Sequence, residues 1–190
     1  LYKFINQFNI FMRSLLFIIV LLNSTFLYSD NEFKDNSNEL IKHLAQNLKK
    51  TLVNAIKTKG LVGAVEQCNI EAPIISQNIS SKNLKVSRIA SKNRNLKNKA
   101  TFEQEEVLKF FEQEISLGKS PKNLFKVLET KDSIQYLKPI VTGKVCLACH
   151  GSNLSGELKA KIKQLYPNDL ATGFEEGSLR GAFLVVKSKK

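Results

Sequence analysis

The sequence predicts an α+β chain, and three observations predict it. Beyond residue 38, apolar residues recur at three- and four-residue steps through the first part of the chain, the mark of amphipathic helices. The later part carries short β-rich runs separated by turn residues. One cysteine-containing box, Cys146-Leu147-Ala148-Cys149-His150, interrupts those runs. Helices first, then strands with a single such segment between them, describe α+β rather than a regular βαβ alternation.

The elements follow in chain order. Residues 1–29 carry Lys3 and Arg13 but no acid, and Arg13 precedes the apolar run Leu15–Leu22 and then polar Asn23, Ser24 and Thr25. A basic start before a short apolar core is secretory-signal anatomy. The core falls short of the roughly 20 apolar residues that a membrane span needs. Met12 is a candidate start and Ser29 a candidate last residue before cleavage. Leu27 is a poor residue two positions earlier, so an uncleaved N-terminal anchor is the alternative. Residues 30–37 read as a linker and 38–187 as one domain, which is expected in the periplasm or another exported location.

From Glu39 to Lys57 the residues Leu40, Ile41, Leu44, Leu48, Leu52, Ala55 and Ile56 form one apolar face, and Gly60 ends that helix. A second run, 61–79, sets Val62, Val65, Cys68, Ala72, Ile75 and Ile79 on a similar stripe, with Pro73 expected to kink or divide it. Lys85 to Ala90 reads as a strand leading into the polar loop 91–95. A third helix starts behind Thr101 as its cap, with Glu103, Glu105 and Glu106 favourable for the dipole, and closes at Gly118 and Pro121. Leu124–Leu128 and Ile134–Val141 are β-rich, and Thr130-Lys131-Asp132-Ser133 between them reads as a hairpin turn. The box sits on a short helix, with Gly151 expected to free the backbone after it. Leu158–Leu165 is a short helix stopped by Pro167, and 180–186 is a closing apolar strand.

Charge narrows the function classes. The chain has 29 Lys+Arg against 17 Asp+Glu, a formal net charge of +12. No nucleic-acid-binding module accompanies that charge, and the start of the chain argues for export, so nucleic acid is not the expected partner. A lysine-rich solvated surface accounts for the charge; an acidic redox partner or an anionic membrane surface is what it would attract.

The box carries the chemistry. Two thiols at C-x-x-C spacing can each add to a vinyl group of one haem, and the histidine directly after them can place an imidazole nitrogen on the iron. A thioredoxin-like pair needs no such histidine, and a zinc site needs further ligands that the sequence does not offer. The expected cofactor is therefore one covalent haem c, anchored by Cys146 and Cys149 with His150 as an axial ligand. For the other axial position the only methionine, Met12, lies in the signal. His43, Cys68, a lysine or an open site remain. His43 sits near a polar helix boundary. Cys68 is unpaired, faces the apolar stripe and is soft enough for iron, although most such cysteines are simply small buried hydrophobes.

Four stretches together resemble the Tll0287-like haem-domain family. They are Ala64–Pro73 around Cys68; Arg88 followed by Arg94-Asn95; Tyr136–Ile140 ahead of the box; and Tyr166–Gly173 with Arg180-Gly181. The resemblance covers about residues 38–187. It implies a PAS-like antiparallel sheet flanked by helices, with haem c bound by the axial pair Cys68 and His150. The loop departs from the family pattern: Ile89-Ala90 stands for Thr-Ser, Leu96 for Pro, and Lys99-Ala100 for Ala-Pro. On charge, Arg88 and Arg94 are expected to meet the haem propionates, with a solvated loop as the alternative. The function expected from all this is electron transfer by an exported monohaem cytochrome. A haem-based redox or gas sensor acting through a separate partner protein is the alternative. A haem enzyme is disfavoured, because two histidines and no tryptophan leave little for an acid–base site.

Overall fold

Gly60 separates the two apolar helical runs. Its backbone, at φ 68° and ψ −175°, is the non-helical point inside an otherwise continuous helix α1, Tyr2–Ile79. A positive φ with an extended ψ suits glycine and almost no other residue. The structure is a computed structural model that describes residues 31–189 in full and residues 2–30 as helical backbone only. The signal, its cleavage site and the alternative anchor expected within residues 1–29 lie outside the fully described residues. Among the described residues, no helix is long and apolar enough to cross a membrane. The chain divides into two units, Leu1–Asn38 and Glu39–Lys190, and all that follows concerns the second.

Behind α1 come β1 (Leu84–Ile89), a 3₁₀ turn (Leu96–Asn98) and helix α2 (Phe102–Ser116). A second 3₁₀ turn (Pro121–Asn123) leads into β2 (Lys126–Glu129) and β3 (Ser133–Val141). Then follow helices α3 (Lys144–His150) and α4 (Gly156–Leu165) and the last strand, β4 (Leu179–Ser188). The four strands form one sheet in the order β1-β4-β3-β2, antiparallel throughout. The architecture is α+β, a four-stranded antiparallel sheet with four helices.

Alternation along the strands explains how the sheet is covered. Leu137 and Leu184 face each other across β3 and β4 and pack with Ile89, Leu108, Phe111 and Ala182, so α2 lies on that face. Their neighbours Tyr136 and Val185, also partners in register, point to the opposite face and are fully buried too. Both faces of the sheet are therefore covered. Burying each leucine, isoleucine, valine or phenylalanine among them contributes about 1.5–3 kcal/mol.

The expected third helix begins behind Thr101, and the cap is reciprocal. The Thr101 hydroxyl accepts from Gln104 N, and the Gln104 amide oxygen accepts from Thr101 N. Gln104 then donates to Gln135 of β3 at 2.9 Å, so the cap also fixes the helix on the sheet. Thr101→Ala should cost about 1 kcal/mol, read as a lower urea midpoint at unchanged slope.

Of the kink or division expected at Pro73, the division is corrected. Pro73 does not divide α1, which stays helical to Ile79; a proline removes one backbone bond and crowds one carbonyl, and the helix here continues past both. Gly151, expected to free the backbone after the box, has an ordinary φ of −72°. Its lack of a side chain serves a close approach: a Cβ there would lie 2.7 Å from the Leu147 carbonyl oxygen.

Candidate functional site

The box lies on α3, which follows its N-cap Gly143 and brings Cys146 and Cys149 to one face, since residues three apart on a helix are neighbours. Cys146 is half-buried and Cys149 buried, and both are free thiols. Cys149 packs with Val65 of α1, Leu154, and Leu158 and Ile162 of α4. This apolar cluster brings the turn of α1 that carries Cys68 beside the box. Cys68 is half-buried and free. Burial pushes its thiol above the usual range, with Arg88 and Arg94 pulling the other way and Cys149 adding to the rise.

His150 ends α3, and its ring is fixed from two sides. Nδ1 lies 2.6 Å from the carbonyl oxygen of Ala171. A carbonyl only accepts, so Nδ1 carries the proton and Nε2 keeps its lone pair. The Phe174 ring meets the imidazole edge-on at 6.2 Å between centroids. Burial, then the charges of Arg180 and Arg94, hold the imidazole down to about 3, against the opposing effect of the Ala171 bond. The ring is therefore neutral at physiological pH. A neutral imidazole with one oriented N–H and one open lone pair is the form that binds a metal.

The loop 166–174 supplies the partner of His150 and is itself tied down. Phe174 N donates to the His150 carbonyl at 2.9 Å, and Gly173 N to Gly151 O at 3.2 Å. Arg94 reaches into this loop. Its Nε donates to Asp169 Oδ1 at 3.1 Å, and its Nη2 to Cys149 O at 2.7 Å, Ala171 O at 3.2 Å and Asp169 Oδ2 at 3.3 Å. Arg94 thus holds the end of the box helix and the His150 partner together.

Two more arginines complete the surroundings. Arg88, on β1, is pulled below its usual range by burial, opposed by the nearby Cys68 and Tyr166. Arg180, on β4, donates to Lys92 O at 3.0 Å and lies 5.0 Å from the Phe174 ring centroid. Burial, with Arg94 and Arg88 nearby, brings it down to about 10. Three guanidinium groups around one set of thiols and a neutral imidazole, with Asp169 their one close carboxylate among the described contacts, make a site suited to an anionic group.

Sequence reasoning singled out Cys68, Arg88, Arg94, Cys146, Cys149 and His150, and the fold gathers all six into one region. His43 is elsewhere: it is exposed and pairs with Glu39 one helical turn earlier. Asp169, Phe174 and Arg180 carry parts of the site that sequence reasoning did not assign. Asp169 and Arg180 stood within the quoted Tyr166–Gly173 and Arg180-Gly181 stretches, and a buried-network role for them was the missed signal. No three residues of His, Cys, Asp and Glu gather as a metal-ion cluster among the described residues.

A sequence model of the Tll0287-like family, Tll0287, matches residues 22–188. The chain belongs to the Tll0287-like family. The fold agrees with a solved structure described as the crystal structure of the cyanobacterial heme-protein Tll0287, at a TM-score of 0.63 and 24% identity. That match covers 80% of this chain and 92% of the other. At this identity the likeness speaks to the fold alone. A comparison with curated proteins finds no match.

Proposed function

We propose that this member of the Tll0287-like family binds one haem c and serves as an exported electron-transfer protein. One observation carries the reading: a neutral His150, its Nδ1–H given to Ala171 and its Nε2 free, directly follows two thiols on one helical face. The haem named in the neighbour's description supports it, as does the C-x-x-C-H spacing. Cys146 and Cys149 would anchor the haem through thioether bonds, and His150 and Cys68 would hold the iron. Bound haem supplies one-electron redox chemistry. Were His150 and Cys68 both to hold the iron, no site would be left for a substrate, which favours a carrier over an enzyme.

The chain's own residues orient and screen such a group. Arg88 and Arg180 offer charge for the propionates, and Arg94, although bound to Asp169, adds to the same positive field. The apolar cluster of Val65, Leu158 and Ile162 keeps water from the Cys149 side. The PAS-like character of the sheet and the export of the protein belong to the same proposal, and the net charge of +12 fits an acidic redox partner or an anionic membrane surface. A sensor working through such a partner is the second reading, because a cysteine ligand, which bonds ferric iron better than ferrous, would make ligation depend on redox state.

Acid–acetone extraction tests the cofactor. Haem should stay with the wild-type protein, and the variant carrying both Cys146→Ser and Cys149→Ser should hold no covalent haem. Haem that leaves the wild type on extraction rules out thioether attachment. Cell fractionation tests export, which fails if the protein is cytoplasmic and retains residues 12–29.

A further inference from the structure

We propose that Arg94 and Asp169 are positioning residues that set the electron-donating strength of His150 through the carbonyl of Ala171. The inference rests on His150 being an iron ligand, as proposed above. The carbonyl oxygen of Ala171 accepts from two donors at once, the His150 Nδ1–H at 2.6 Å and the Arg94 guanidinium at 3.2 Å. Asp169 holds both ends of that arrangement. Its Oδ1 accepts from Ala171 N at 3.0 Å and from Arg94 Nε at 3.1 Å.

Burial gives these contacts weight. The side chains of Arg94 and Asp169 are 12% and 8% exposed. A buried ion pair stabilises a fold little compared with apolar side chains of similar volume, so stability alone gives weak reason for one here. Hydrogen bonds to a ligating histidine, in contrast, tune its basicity. The guanidinium draws electron density from the Ala171 oxygen and makes it a poorer acceptor for Nδ1–H. The imidazole then keeps less imidazolate character and stabilises ferric iron less, and the positive charge adds to that effect. Asp169 opposes both, because its carboxylate offsets the guanidinium. The two residues therefore push the potential in opposite directions while holding one geometry.

The test compares midpoint potentials and ferric magnetic-resonance spectra of holo-protein carrying Arg94→Gln, Arg94→Lys or Asp169→Asn. Arg94→Gln should lower the potential, Asp169→Asn should raise it, and Arg94→Lys, which keeps the charge, should stay nearer the wild type. A residue that only braced the fold would move both potentials the same way. Equal-signed shifts, or unmoved potentials with a wild-type low-spin spectrum, overturn the proposal and leave the haem reading intact. Wild-type protein without haem overturns both. If Arg94→Gln gives no holo-protein, Asp169→Asn decides alone: a rise supports the proposal, and no shift or a fall overturns it.

Discussion

In the haem protein proposed above, replacing Cys68 by Ala should convert a low-spin ferric haem with thiolate character into one whose iron admits water or added imidazole, and it should raise the reduction potential. The reasons start from the fold. Cys68 lies on the apolar stripe of α1, is half-buried and free, and shares its surroundings with Cys149, Arg88 and Arg94. Burial opposes the thiolate, and the two guanidinium groups favour it; a ferric ion in the same place would add a larger positive charge. An anionic sulfur donor stabilises the ferric state over the ferrous one, so its loss lifts the potential. His43→Ala should leave the spectrum unchanged, since His43 is exposed and paired with Glu39. Loss of the low-spin spectrum in the His43 variant, with its retention in the Cys68 variant, would exchange the ligand assignment for a bis-histidine one.

Gly181→Ala should destabilise the fold by about 3 kcal/mol or more. A Cβ at this position would lie 2.2 Å from the backbone oxygen of Ile89 and 3.0 Å from the Ala90 side chain. The obstacle is backbone of the neighbouring strand β1, which pairs with β4 up to Ile89↔Ala182 and cannot rotate aside. Overpacking of this kind costs about 1–3 kcal/mol, and the φ of 150°, unsuited to an L side chain, adds about 1–3 kcal/mol. Gly177→Ala is the control. It has a φ of 83° with nothing within 4 Å of its Cβ, so it carries the backbone cost without the collision. Urea unfolding of the two variants separates the effects, and equal losses would mean that the strand contact is unimportant. Because Gly181 follows Arg180, the first variant should also disturb the arginine at the site.

Local chemistry was legible in the sequence. The cap at Thr101, the turn Thr130–Ser133, the stop at Gly60 and the box helix each depend on residues a few positions apart, and the fold contains all of them. Long-range chemistry was not. The β1-β4-β3-β2 order joins the first strand to the last, and no periodicity records which strands meet. Arg94 looked like a loop cation because its carboxylate partner stands 75 positions later in the chain. The Ala171 contact with His150 was beyond reach for a different reason: a backbone carbonyl has no side-chain identity, so no motif announces it. Gly151 shows a third limit. Gly151 was read as freeing the backbone after the box, and the close Leu147 carbonyl oxygen behind that role is not written in any local pattern.

The intact mass of the purified protein, taken under denaturing conditions from a host that attaches haem c, tests the central claim most directly. The proposal predicts a polypeptide heavier by one haem, and a variant with Cys146→Ser and Cys149→Ser at the mass of the polypeptide alone. A wild-type mass equal to the bare polypeptide, in a host that loads other c-type proteins, would contradict it.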